Sequence, residues 1–322
     1  MVVMLALALL SSVAIYSVIS MSVSSVSSLS SAKSVVGLSW FAVLLALLVV
    51  FVKVPSWPFS VWLPEAHVEA SWGGSVVLAG YALKFATIAL LLFSSTRFTT
   101  MDPAVTLLGF SIVFSSLAIC STFDSKKVVA NLSIIHMSAT GILLLSCSGS
   151  QSDFLLGLSW HHHSIVTGAT FLLIGWTYAV SGSRVFRYLV VNPAASVIFL
   201  TLYFAILTMS LDLPWTPNVL VEISFVKIIS STGNLLVLTS LVVFFLVVIL
   251  GFIKIATGLA KRSTAGLGGM SDLSVSRIAV VVVSSILIVA IGFGLGRTLE
   301  SATDTFWRDL NSRVCVAKLR KM

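Results

Sequence analysis

Long apolar stretches recur along this chain, and they constrain its fold more than any other feature. A helix that crosses the hydrocarbon core of a bilayer needs about 20 consecutive apolar residues. Only 9% of the residues are charged and 58% are apolar, whereas soluble domains contain about 25% charged residues. The sequence therefore predicts an all-α, polytopic membrane protein with about nine transmembrane helices. The predicted spans cover about residues 2–20, 35–62, 71–94, 104–120, 128–147, 160–181, 191–229, 234–257 and 277–297.

The predicted spans divide the chain into a membrane domain, residues 1–297, and a C-terminal surface tail, residues 298–322. The tail mixes basic and acidic residues, which is typical of a segment that lies along the membrane surface. The formal net charge is +8, but the basic residues form no stripe with interleaved aromatic residues. This pattern argues against a nucleic-acid partner and favours lipids.

Two of the predicted helices are interrupted by a pair of prolines. Pro55 and Pro58 follow Lys53, and Pro214 and Pro217 precede Glu222. Proline lacks the backbone N–H and therefore leaves a carbonyl without its helical donor. At membrane depth such groups are tolerated only against protein or water. Paired broken helices with an ionisable residue beside each are typical of inverted-repeat transporters.

Lys53, Lys84 and Glu222 are the strongest candidates for a functional site, because a lysine at the bilayer centre costs about 2.5–3.5 kcal/mol. We interpret them as proton-exchanging groups, since burial destabilises the charged forms. The alternatives are snorkelling lysines, a structural ion pair, or a carboxylate that caps a half-helix. His136 lies inside a predicted span and can relay protons near neutral pH, although a hydrogen-bonded core histidine is the alternative.

Three successive histidines, residues 161–163, begin the predicted sixth helix. Successive residues do not share a helix face, so the run is a poor metal cage and at most one or two of its members point inward. We select His163 as the inward one. The chain also contains no phosphate-binding glycine loop and no paired-cysteine pattern, so we expect no cofactor and no metal.

The stretch KVPSWPFSVWLPEAHVEASWGGSVVLAGYALK, residues 53–84, resembles the signature of the antiporter-like subunits of respiratory complex I. Three later stretches are similar to that family in the same order, and the likeness covers about residues 35–230. They are DSK with IIHM at 124–137, HSIVTG at 163–168, and LPWTPNVLVE at 213–222.

The resemblance implies a proton-translocating membrane subunit of NADH:ubiquinone oxidoreductase, in the mitochondrial inner membrane. Quinone reduction would take place elsewhere, and the partners would be the other membrane subunits, including neighbouring antiporter-like ones. Lys53 and Lys84 match the family's intramembrane lysines, and Glu222 matches a glutamate for which a larger relative has lysine. His136 and His163 match its relay histidines. The implied path holds a proton on Lys84, exchanges it through His136 and His163, and releases it at Glu222, while the charge of Lys53 biases Lys84.

The chain departs from the family at its beginning, where the first inverted repeat is truncated. The missing part includes a glutamate that pairs with the lysine corresponding to Lys53, and residues 1–64 contain no Asp or Glu. A separate polypeptide that supplies those helices is one explanation. Two other functions stay open: a subunit of a multisubunit sodium/proton antiporter, and a structural membrane subunit that does not pump.

Overall fold

The computed structural model describes residues 51–84, 102–146, 150–185 and 221–226, together with single positions. Those positions are 48, 87, 206, 210, 218, 239, 240, 242, 243 and 246. The predicted first and ninth helices, most of the seventh and eighth, and the tail 298–322 lie outside the described residues. Pro214 and Pro217 lie outside them as well, so the second predicted break stays a prediction.

The described part of the chain is helical, which agrees with the all-α prediction. It contains α1 (Trp62–Glu69), α2 (Trp72–Val77), α3 (Asp102–Ser121), α4 (Ser125–Ser146) and α5 (Ser150–Ser181). A short 3₁₀ turn, Phe59–Val61, precedes α1, and a π turn, Leu78–Ala82, continues α2. An isolated antiparallel bridge joins Asp124 to Val185.

Two of these helices are long and apolar enough to cross a membrane: Pro103–Ser121 and Ser125–Ser146, with mean hydropathies of 2.0 and 1.8. They match the predicted spans 104–120 and 128–147 within a few residues. The predicted start of the next helix, at residue 160, is wrong because α5 begins at Ser150. The polar run at 150–153 reads as a loop, but serine and aspartate are also favoured at helix starts. The histidine run therefore lies well inside α5.

The first predicted proline break is confirmed, and it ends the second predicted helix at residue 53 rather than 62. Pro55 has no N–H to give to the Phe51 carbonyl. That carbonyl instead accepts from Ser56 N at 3.1 Å and from Ser56 Oγ at 2.8 Å. The Val52 carbonyl accepts from Trp62 Nε1 at 2.8 Å. Protein donors thus satisfy the carbonyls of the broken helix, as an apolar environment requires.

The chain between the break and Lys84 consists of two short helices. After α1, Ala70 adopts an extended conformation with ψ of 148°. Ser71 then acts as the N-cap of α2, because its side chain accepts a hydrogen bond from Gly74 N at 3.2 Å. Serine is a favoured N-cap because its hydroxyl satisfies one of the free N–H groups of the first turn.

Helices α2, α4 and α5 pack around a shared apolar core. One buried cluster joins residues of the break, α1, α4 and α5: Val54, Leu63, Leu83, Ile134, Met137, Leu144 and Leu156. A second cluster joins the π turn to α4 and α5: Ala79, Val129, Phe171 and Ile174. Lys84 follows Leu83 directly, so these clusters surround the point where it enters the interior.

Helices α2 and α5 come very close together at Gly175. A Cβ atom built on Gly175 would lie 2.6 Å from Trp72 Cβ, which is too close for any real contact. A Cβ atom on Gly168, two turns earlier on α5, would lie 3.6 Å from Val76 Cγ1, an ordinary contact distance. Gly175 therefore sets how near α2 comes to α5, and Gly168 does not.

We expect Gly175→Ala to destabilise the protein by about 1–3 kcal/mol, because the added methyl group separates α2 from α5. Gly168→Ala is the matched control, and it should be neutral or stabilise by up to about 1 kcal/mol, since alanine favours helix. The check is the midpoint of thermal denaturation of the purified membrane assembly that contains each variant. Equal midpoints for the two variants would contradict the packing described here.

Candidate functional site

Lys84 lies in the interior with 8% of its surface exposed. Its Nζ donates a hydrogen bond to the carbonyl of Ala79. The same Nζ lies 2.7 Å from His163 Nδ1 on α5. An ammonium group has only donors, so Nδ1 accepts in this contact when Lys84 is protonated. The structure therefore places a buried lysine in direct hydrogen-bonding contact with a buried histidine, and both are residues that the sequence singles out.

The π turn, Leu78–Ala82, provides the backbone side of this arrangement. A π turn shifts the backbone hydrogen bonds from i−4 to i−5, and such turns are frequent at functional sites. Its Ala79 carbonyl accepts from Lys84 Nζ, and its Gly80 carbonyl accepts from Ser164 Oγ at 2.9 Å. Two carbonyls of one turn thus serve side chains at the interface between α2 and α5.

His163 also connects Lys84 with His136 on α4. The two imidazole rings meet edge to face, with centroids 5.7 Å apart. His136 Nε2 lies 3.1 Å from the carbonyl of Ser210. In space, therefore, the order is Lys84, His163, His136 and then residue 210, with His163 between Lys84 and His136. We call Lys84, His163 and His136 the polar line.

A small cavity lies beside the polar line, between α4, α5 and Ser210. Its volume is about 10 Å³, roughly the space that one water molecule needs. Three imidazoles and several hydroxyl groups contribute to its wall. The lining residues are Val129, Leu132, Ser133, His136, His162, His163, Val166, Thr167, Thr170 and Ser210. Among the described residues no group of three His, Cys, Asp or Glu side chains is arranged to hold a metal ion.

Lys53 and Glu222 are both half-buried in helical stretches of the described residues. Lys53 is half-buried at the end of the helical residues 51–53, and within the described part of the chain no hydrogen bond or ion pair reaches it. Its neighbour Val54 and the neighbour of Lys84, Leu83, belong to the same buried cluster. Glu222 is half-buried in the helical stretch 221–226, and its N–H donates to the Asn218 carbonyl at 3.0 Å.

His67 is a buried histidine that the sequence analysis missed. It is 0% exposed, and its ring stacks on Phe171 with centroids 4.4 Å apart and an interplanar angle of 13°. Burial, and then the positive charge of Lys126, lower the pKa of His67 to about 4. His67 lies on α1, between two predicted spans, and is neutral near pH 7. In the sequence, the stretch Ala-His-Val-Glu-Ala resembles a charged turn. The burial of one face of α1 is therefore not evident from the sequence.

Two cations hold the C-terminal end of α1. Lys126 Nζ donates to the Ala70 carbonyl at 2.7 Å, and Arg184 Nη1 donates to the Val68 carbonyl at 2.9 Å. The Arg184 carbonyl in turn accepts from Ser125 N at 3.0 Å. Cations are favourable at a helix C-terminus because the last carbonyls carry partial negative charge. This arrangement connects α1 with the start of α4 and with the residues that follow α5.

The described residues combine a proline-broken helix, a buried lysine in contact with a histidine, and a second histidine behind it, which is an arrangement typical of membrane transport proteins. The sequence matches the family described as NADH:quinone oxidoreductase/Mrp antiporter, transmembrane, over residues 2–252. The chain belongs to this family. The resemblance inferred from residues 53–84 is thereby confirmed.

Curated relatives are similar in sequence to part of this chain, and solved structures are similar to it in fold. NADH-ubiquinone oxidoreductase chain 4 of Arabidopsis thaliana is 36% identical over 178 residues, which are 53% of this chain and 35% of the relative. The Mrp complex from Dietzia sp. DQ12-45-1b contains a chain of similar fold, with a TM-score of 0.66 and 17% identity, covering 81% of this chain and 57% of that one. Respiratory complex I from Thermus thermophilus with bound Aureothin gives a TM-score of 0.65 at 19% identity, covering 83% and 60%. The alignment with the Arabidopsis relative spans only about a third of that protein's length.

The cations at α1 lead to a prediction about two adjacent lysines. Lys126 is 6% exposed and holds the Ala70 carbonyl, so Lys126→Met should destabilise the protein by about 1.5–3 kcal/mol. Lys127 forms a 2.7 Å salt bridge with Glu65, with side chains that are 32% and 58% exposed, so Lys127→Met should cost less than about 1 kcal/mol. Limited proteolysis at residues 69–71 and thermal denaturation both measure the difference. A larger effect at Lys127 would contradict the role given to Lys126.

Proposed function

We propose that this chain is a proton-translocating membrane subunit of NADH:ubiquinone oxidoreductase, respiratory complex I, in the mitochondrial inner membrane. It takes part in the NADH:ubiquinone reductase reaction by moving protons, while the redox chemistry proceeds in other subunits. The observation that carries the proposal is the buried contact of 2.7 Å between Lys84 Nζ and His163 Nδ1. Family membership and the chain 4 relatives support it.

The proton moves along the polar line from one end to the other. Lys84 holds it first, because the Ala79 carbonyl and His163 Nδ1 stabilise the ammonium group in an otherwise apolar interior. Transfer from Nζ to Nδ1 leaves a neutral amine and an imidazolium ion. His163 then passes a proton to His136 through the cavity that both residues line. A chain of donors and acceptors of this kind lets a proton move without moving any heavy atom far.

Glu222 receives the proton at the end of the polar line, and Lys53 influences its release at the start. His136 faces the Ser210 carbonyl, and the segment after Ser210 leads to Glu222, which we propose as the exit group. The charge of Lys53 repels a proton on Lys84, since like charges disfavour each other's ionisation. A change in the charge around Lys53 therefore changes how readily Lys84 releases its proton, which gives the complex a way to drive the transfer.

We further propose a truncated form of the antiporter-like inverted repeat, with about nine helices in the membrane domain 1–297 and a surface tail, 298–322. The partners are the other membrane subunits of complex I, neighbouring antiporter-like subunits and lipids. A separate polypeptide supplies a carboxylate partner for Lys53. One observation supports this last partner: no described residue pairs with Lys53.

A subunit of a multisubunit sodium/proton antiporter is the second candidate, and the likeness to the Dietzia Mrp chain is the observation that favours it. That likeness concerns the fold alone. Proton movement that requires sodium and proceeds without NADH oxidation would identify this function. A structural subunit that does not pump is a third candidate, and for it the substitution of Lys84 would leave proton stoichiometry unchanged.

The first prediction of the proposal concerns the residues that carry the proton. Lys84→Met and Glu222→Gln should each lower the rate of proton translocation by at least about tenfold, because a proton-exchanging group is removed. The assembled complex should still form, since both replacements keep most of the side-chain volume. A pH-sensitive dye in vesicles that contain the complex measures translocation during NADH oxidation, and Lys127→Met is the control. Normal pumping by both variants would exclude the proposed path.

The second prediction concerns the partner of Lys53. A photo-cross-linking amino acid at position 53, in the assembled complex, should form a covalent product with a second polypeptide. The cross-linked segment should be an apolar helix that contains Asp or Glu, because a cation at membrane depth requires a carboxylate or polar partner. Mass spectrometry identifies the product, and the same probe at position 127, which is partly exposed, is the control. Products formed only within this chain would contradict a separate polypeptide.

A further inference from the structure

The histidine run on α5 presents its three side chains to different surroundings. His161 is exposed, and its Nδ1 lies 2.7 Å from the Gly157 carbonyl one turn earlier. His162 is 6% exposed and His163 is 4% exposed. The proposed path uses His163 alone, so His162 is a buried imidazole with no function assigned to it.

His162 lines the same cavity as His136 and His163. The remaining polar wall comes from hydroxyl groups, among them those of Thr167 and Thr170. A water needs two to four polar partners to occupy a site of this size, and the imidazoles of His136, His162 and His163 are the candidates for them. His163 Nε2 is buried and has no hydrogen-bond partner among the described residues. A water in the cavity would satisfy such an atom and would connect the imidazoles.

We propose that His162 is a third proton-binding imidazole of the polar line, and that water in the cavity connects it with His163 and His136. The inference rests on the proposed function and adds a residue to it. A proton that leaves Lys84 for His163 can then move to His162 or to His136. No covalent bond between heavy atoms changes, and each transfer makes one imidazolium ion and regenerates one neutral imidazole.

Electrostatic repulsion limits how many protons the three imidazoles hold together. His162 and His136 both act electrostatically on His163, and like charges at such short range disfavour double protonation. Groups coupled in this way titrate as a unit. The other titratable groups that act on His163 are Lys84 from the π turn and His67 from α1. His162 thus gives the excess proton a second position and delays its return to Lys84.

The histidine run itself provides a matched set of variants: His161→Gln, His162→Gln and His163→Gln, each made in the complete complex. Glutamine retains polar contacts but does not titrate near neutral pH. The measurement is proton translocation per NADH oxidised, from about pH 6 to about pH 8, the range in which histidines titrate. His161→Gln should equal the wild type, and His163→Gln should lose at least about tenfold.

For His162→Gln we expect about a threefold loss and a pH profile of different shape from that of the wild type, since one titrating group of a coupled set is gone. A profile of unchanged shape, or rates equal to those of His161→Gln, would overturn the inference. His162→Asn is the second variant, in case the first fails to assemble. Failure of both to assemble would also overturn it, because His162 would then be a packing residue.

The design separates this inference from the proposal on which it rests. Normal pumping by Lys84→Met and His163→Gln would contradict the proposed function itself. Loss of pumping in those two variants, with normal pumping by His162→Gln, would overturn only the assignment of His162.

Discussion

The rest of the structure depends on the need to satisfy one buried cation, the ammonium group of Lys84. A lysine at membrane depth is expensive unless polar groups replace its water. Here the Ala79 carbonyl and His163 Nδ1 replace it. The Ala79 carbonyl belongs to a π turn, in which the backbone hydrogen bonds are shifted by one residue. The contact with His163 requires α5 to lie close to α2, and Gly175 makes that approach possible.

The broken helix before α1 also contains polar groups that need hydrogen-bond partners, and in this case they are backbone carbonyls. Pro55 removes a donor, and the carbonyls of Phe51 and Val52 are satisfied by Ser56 and by Trp62 Nε1. Trp57 N donates to Ser111 Oγ on α3 at 2.6 Å, so the break is also attached to a spanning helix. The break is therefore a fixed part of the framework, and its Val54 also packs with residues of α4 and α5, the helices that carry His136 and His163.

The sequence predicted those parts of this site that follow from the energetic cost of placing particular residue types in an apolar segment. Charges in apolar runs indicated Lys84, and a histidine inside a span indicated His136, because both are rare at such positions. The break followed from Pro55, since the missing N–H is a property of that residue. In each of these cases the chemistry of one side chain is sufficient for the inference.

Features that depend on packing were not predictable in this way. The π turn changes a hydrogen-bond pattern without a change in composition, so residues 78–82 read as ordinary helix. His162 is one residue from His163, and the choice between them depends on how α5 is rotated against α4. His67 reads as part of a charged turn, whereas its neutrality depends on burial against Phe171. The start of α5 at Ser150 was hidden because serine is common in both loops and helix starts.

The contrast between the two lysines of residues 51–84 follows from the same physical reasoning. Lys84 has two polar partners and is almost fully buried, whereas Lys53 is half-buried and has no partner in the described part of the chain. A cation without a partner at membrane depth costs about 2.5–3.5 kcal/mol. Residues 1–64 contain no carboxylate that could remove this cost. Lys84 is satisfied by this chain's own helices, and the carboxylate proposed as the partner of Lys53 would remove this cost.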